Sequence, residues 1–137
     1  MAFWLLKSEP SSWSWDEQVA AGQAGTGWNG VRNHQAKLHL QAMRRGDRGF
    51  FYHSGKGKEI VGVVEVVGDY RPDPSDETGR FGLVDVKAVE AFPVPVGLQA
   101  IKGEPRLRDM ALVRFSRLSV QPVTETEWAL VRAMGGL

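Results

Sequence analysis

Apolar positions along the chain change spacing several times, and each change marks an element. Phe3–Leu6 is an unbroken apolar run that suits a buried strand, ended by Lys7-Ser8-Glu9-Pro10. Ser14 followed by Glu17 fits a capping box that opens a short helix through Val19. Gly22, Gly25 and Gly27 break it. From Val31 to about Arg44 the spacing is helical, with Val31, Leu38 and Ala42 on one face and Arg32, Lys37 and Arg44 off it. Gly46-Asp47 stops this second helix. The period then becomes that of strands. Gly49–His53 is aromatic-rich, Ile60–Val67 is β-branched, and Ser54–Lys58 between them reads as a hairpin loop. Tyr70–Gly82, with its prolines and acidic residues, reads as a mobile loop. Leu83–Phe92 sets Val84, Val86 and Ala88 against Asp85 and Lys87, and Pro93 and Pro95 are expected to end it. Leu98–Leu112 predicts two short helical turns around Pro105. Leu118–Val123 is a last strand closed by Pro122, and Thr124 with Glu127 forms a second capping box ahead of a C-terminal helix.

Four or five strands joined mostly by short polar loops favour antiparallel pairing over crossovers. The expected architecture is α+β: a small, partly closed antiparallel or mixed β-barrel flanked by helices, one domain over residues 1–137, with no internal repeat.

Composition narrows the function. A 42% hydrophobic content is enough for a real core, and the absence of cysteine removes disulfides and thiolate metal sites. No apolar run is long enough to span a membrane and the first residues are not signal-like, so the chain reads as intracellular, soluble and cytoplasmic. A net charge of +1 argues against a broad basic surface for nucleic acid, but leaves room for a compact pocket with a few local cations. Five Trp are many for 137 residues, and Trp serves where a base is stacked.

The stretch Trp28-Asn-Gly-Val-Arg-Asn-His-Gln-Ala36 combines an aromatic, a glycine turn and a helix start. Arg32 and Asn33 then fall in the first turn, near free N–H groups, where something planar and polar could be received. Gly25–Gly30 satisfies G-x-G-x-x-G literally, but no strand precedes it and no βαβ unit surrounds it, so a dinucleotide site is not expected. Gly55-Lys-Gly-Lys58 lacks P-loop spacing and reads as a solvated hairpin tip. His34 and His39 lack metal-site spacing, whereas His53, ending an aromatic strand, fits either an edge or a pocket position. Lys7 and Glu9 could read donors and acceptors on a base edge, act as a catalytic pair, or simply be solvated. Arg114, Arg117 and Ser119 bracket the last strand, where a guanidinium could clamp a phosphate.

Phe3-Trp-Leu-Leu-Lys-Ser-Glu-Pro10, Trp28–Ala36, Phe50-Phe-Tyr-His-Ser54 and Arg117-Leu-Ser-Val-Gln-Pro-Val123, collinear from residue 3 to about 131, resemble the EVE domain family. That family belongs to the PUA-like superfamily, whose members include the YTH readers of methylated adenine. The resemblance implies a pocket for a modified nucleobase, modified cytosine in particular, in DNA or RNA, without metal, cofactor or membrane. Carried over, the pocket residues are Trp4, Lys7, Ser8, Trp28, Val31, Arg32, Asn33, Tyr52, His53, Ser54, Arg117 and Ser119. In this reading Trp28 and Tyr52 are the stacking walls. Ser8, Asn33 and Ser54 read the base edge, and Lys7, Arg32 and Arg117 meet phosphates or a carbonyl. Two positions depart from the family pattern: His34 stands where many members carry Tyr, and a short loop with Phe81 replaces a longer one with Trp. The alternative is an enzyme like the ASCH-type amidohydrolases acting on acylated cytidine, with Lys7 and Glu9, and Ser54 beside them, polarising water.

Overall fold

The computed structural model describes all of residues 1–137. Its strands are β1 (Phe3–Ser8), β2 (Thr26–Gly27), β3 (Arg48–His53), β4 (Glu59–Val66), β5 (Arg71–Pro72), β6 (Gly82–Leu83), β7 (Asp85–Gly97) and β8 (Val120–Val123). The α-helices are α1 (Trp15–Ala20), α2 (His34–Ala42), α3 (Leu98–Lys102), α4 (Ala111–Arg114) and α5 (Glu125–Met134). Six strands form one curled mixed sheet, a half-barrel in the order β2-β7-β4-β3-β1-β8, and β5 and β6 form a separate ribbon.

Both capping boxes are present, Ser14 with Glu17 and Thr124 with Glu127, and they start α1 and α5. The second helix begins later than its spacing suggested. Asn33 is its N-cap, accepting the Ala36 N–H at 2.9 Å, so Val31 and Arg32 belong to the segment before it. The buried face also differs: Ala36 and Leu40 face inward, while Leu38 is 57% exposed. Starting the helix at residue 34 rotates every assignment made from residue 31.

One pairing is not antiparallel. β1 and β3 run parallel, with α1 and α2 carrying the chain between them. This is a crossover connection, and the helical segment between the two strands is long enough to make it. β7 runs through Pro93 and Pro95 instead of ending there. Its ladder to β4 is interrupted between Ala91 and Val96, so neither proline has to supply an N–H to it. Pro122 likewise sits in the edge strand β8.

Alternation along the strands sorts side chains to two faces. Trp4, Leu6 and Phe51 pack with Trp15, Trp28, Val31, Ala36 and Leu40 on the α1–α2 side. Leu5, Phe50 and Tyr52 pack with Ile101, Leu107, Leu112, Trp128 and Val131 on the α3–α5 side. Phe50 stacks on Trp128 at 4.0 Å between centroids. Gly62 in β4 is where the Trp15 ring lies flush with the sheet; a Cβ there would come within 2.4 Å of the ring.

Candidate functional site

The parallel register of β1 and β3 sets Lys7 beside Tyr52 and Ser8 beside His53 at one end of the sheet. β8 joins them: the Lys7 N–H donates to the Ser119 carbonyl at 2.9 Å. The chain then leaves β1 through the turn Glu9–Trp13, which two side chains fasten to the strand ends. Ser8 Oγ donates to the Trp13 carbonyl at 2.5 Å, and His53 Nε2 accepts the Trp15 N–H at 3.0 Å. This second bond requires an unprotonated Nε2.

Between that turn and Thr26–Gly30 lies a cleft of about 540 Å³. Such a volume is within the roughly 300–1,000 Å³ of small-ligand sites. Trp28 and Trp13 are its aromatic walls, and Lys7, Glu9, Ser12 and Asn29 supply polar groups. Trp28 is only 7% exposed and packs at a right angle to Phe51 with centroids 5.4 Å apart, so little of its ring is open to the cleft. Trp13 is half-buried, and its Nε1 donates to Gln18 Oε1 at 2.9 Å. Gln18, itself fully buried, donates to the Val86 carbonyl at 3.0 Å. The Trp13 indole is thereby held by a hydrogen-bonded chain that ends on β7. Lys7 donates through Nζ to the Ser116 carbonyl at 2.8 Å and lies 5.7 Å from the Tyr52 ring centre. Burial pushes its ammonium below the ordinary lysine value of 10.5.

The Trp28–Asn33 segment is anchored from the loop that follows β5. Asp73 is buried and accepts from the Gly30 N–H at 2.8 Å, from Arg32 at 3.1 Å and from the Ser75 hydroxyl and N–H. Burial alone would raise its pKa, but the bonds from Ser75, Gly30 and Arg32 outweigh that and hold it at about 2. Asp76 accepts from Thr78 and from the Phe81 N–H, so this loop has internal order of its own. The two family departures meet here: His34 and Phe81 have ring centroids 5.2 Å apart. Arg32 and Lys37 each lie 5.8 Å from the Phe81 ring centre.

Of the residues singled out in the sequence, Lys7 and Trp28 line the main cleft, together with Glu9. Ser8 and His53 sit behind it, bonded to the turn. Val31 is buried beneath it in the same core as Trp28. Arg32 is engaged by Asp73 and Ser75, and Asn33 by its capping bond. Tyr52 and Ser54 border a different cleft, because Tyr52 projects from the opposite face of the sheet to Trp28. Arg117 lies with Asn33 along a third depression, and Ser119 is half-buried and bonds through its carbonyl. Trp4 is in the core, its Nε1 donating to the buried Asp47 at 3.1 Å. Sequence reasoning missed Trp13, Ser12 and Asn29. The pair Trp13-Ser-Trp15 immediately after a strand end was the available signal for the first of these.

A family model described as EVE domain matches residues 2–134. The chain belongs to the EVE domain family. Among solved structures, Rpa0253 from Rhodopseudomonas palustris is 62% identical, with a TM-score of 0.94 over 99% of this chain and 94% of that one. Thymocyte nuclear protein 1 of Gallus gallus is 34% identical over 96% of this chain and 67% of its own length. Human THYN1 protein, solved in complex with 5-methylcytosine-containing DNA, is 31% identical with a TM-score of 0.90, over 100% of this chain and 99% of that one. No helix of this EVE domain is long and apolar enough to cross a membrane.

Proposed function

We propose that this protein reads a modified nucleobase, a methylated cytosine in particular, in nucleic acid, holding the flipped base in the cleft between Trp13 and Trp28. The observation that carries the reading is this cleft itself: two tryptophans, with Lys7 and Glu9, around a space of small-ligand size, in a fold whose human relative was solved with 5-methylcytosine DNA. Trp13 supplies a partly open ring on which a base can stack, worth roughly 1–3 kcal/mol. Trp28 closes the inner side. Glu9 accepts from an exocyclic amine such as that of cytosine, while Lys7, Ser12 and Asn29 offer donors to ring and carbonyl acceptors. Arg32, Val31 and Asn33 act indirectly, by fixing the Trp28 segment. Recognition is local, so binding depends on the one base more than on a long charged track.

The test is a titration of oligonucleotides carrying methylated, hydroxymethylated or unmodified cytosine, followed by Trp fluorescence. Tighter binding of a modified form supports the reading; equal, weak binding of all three overturns it.

A further inference from the structure

The Gly55–Lys58 turn, read from sequence as a solvated hairpin tip, helps to wall a second cleft of about 310 Å³ on the Tyr52 side of the sheet. Three lysines border it: Lys7 from β1, Lys58 from the turn and Lys102 at the end of α3. No Asp or Glu is among its lining residues, and the carboxylate at its rim is that of Glu9, packed against Gly55. Every ion pair in the molecule is made by an arginine, so none of these lysines has a carboxylate within 4.0 Å. Like charges gathered around one concavity repel, and no ion pair with a carboxylate ties any of the three down. Lys58 also holds a left-handed backbone, φ +46°, unusual for a residue with a side chain, and its carbonyl accepts the Leu98 N–H at 2.8 Å. Lys7 spends one donor on the Ser116 carbonyl and keeps two, and it borders both clefts. The hydroxyl-bearing residues Ser54 and Ser116 add further polar groups.

We propose that this second cleft is an anion subsite that takes a phosphate of the nucleic acid whose base enters the Trp13–Trp28 cleft. A phosphate presents several acceptor oxygens to ammonium groups arriving from different directions, which suits three lysines on three elements. The ligand's identity rests on the proposed base reading; the anion site rests on the unpaired lysines. Lys7, shared by both clefts, links base and phosphate recognition.

The experiment is fluorescence anisotropy on a labelled single-stranded oligonucleotide with one 5-methylcytosine, across about 50 to 200 mM salt. A K58Q/K102Q double variant, at two exposed positions, is compared with wild type and with Lys87→Gln as a distant control. The slope of log affinity against log salt is expected to shrink in the double variant by about 0.7 per lost phosphate contact. Lys87→Gln is expected to keep the wild-type slope. Equal slopes in wild type and double variant overturn the subsite. In a second arm, inorganic phosphate is titrated while backbone amides are followed by NMR. Shifts at Gly55 and Lys58 with an unchanged oligonucleotide slope assign the cleft to free anions and overturn the nucleic-acid proposal. A reduced slope without any methyl preference in wild type sinks the base reading and leaves the phosphate subsite standing. No binding of the oligonucleotide overturns both.

Discussion

The Asp73 carboxylate accepts the Gly30 backbone N–H at 2.8 Å, tying the loop after β5 to the segment that carries Trp28. Gly30 has φ +82°, a conformation that favours glycine, so the chain can turn there and present its N–H to Asp73. Asp73→Ala is expected to cost about 2 kcal/mol, the size of lost charge-assisted hydrogen bonds, and to weaken base binding with it. Urea denaturation and the oligonucleotide titration measure the two effects.

The same carboxylate gives stability a defined pH dependence. Its folded pKa is about 2 against the ordinary aspartate value of 3.8, so its contribution is fully present above about 3.8 and is lost as pH falls through about 2. Wild type should therefore lose stability over this window more steeply than Asp73→Asn. Denaturation midpoints collected between pH 5 and pH 2 for both proteins, on a scale of about one unit per step, provide the comparison. Parallel curves would show that Asp73 is not the group responsible.

The two cleft tryptophans should separate on mutation. Trp13 is half-buried, and Trp13→Ala is expected to cut affinity for the modified base by the roughly 1–3 kcal/mol of a stacking contact, with a smaller loss of stability. Trp28 is packed against Phe51 in the core, and Trp28→Ala should cost about 3–5 kcal/mol in folding. Thermal melts beside binding isotherms distinguish the two. A Trp13→Ala protein that is stable and binds like wild type would remove Trp13 from the site.

Gly62→Ala should destabilise the protein by about 1–3 kcal/mol, because the added methyl enters the space of the Trp15 ring. The Trp15 backbone N–H donates to His53 Nε2, so the same change should disturb the turn that walls the cleft. Chemical-shift changes at Trp13 and Trp15 would report it.

Lys7 offers a second pH effect, in binding. Its ammonium is held below 10.5 by burial, so any affinity it supplies through charge should decline at a lower pH than an exposed lysine would give. Affinity for the methylated oligonucleotide at rising alkaline pH, in wild type and Lys7→Gln, tests this. The wild type should fall toward the variant as pH rises.

Much of the local structure was legible in the chain. The two capping boxes, the strand cores at Phe3–Leu6, Gly49–His53 and Ile60–Val67, and the motifs that place it among EVE domains depend on neighbours in sequence. Each is set by hydrogen bonds and alternation within a few residues. The tertiary structure decided what these local signals leave open. Parallel pairing of β1 with β3 depends on where α1 and α2 return the chain, and no run of residues in either strand encodes that direction. Trp28 and Tyr52 pack into the cores on opposite sides of the sheet, and the residues of a single expected pocket are divided among three clefts. The tertiary fold also brings Trp13 and Trp28 to the lining of the first cleft and gathers Lys7, Lys58 and Lys102 around the second. Side-chain type and spacing determine which groups are available; only closure of distant segments determines which of them share a cavity.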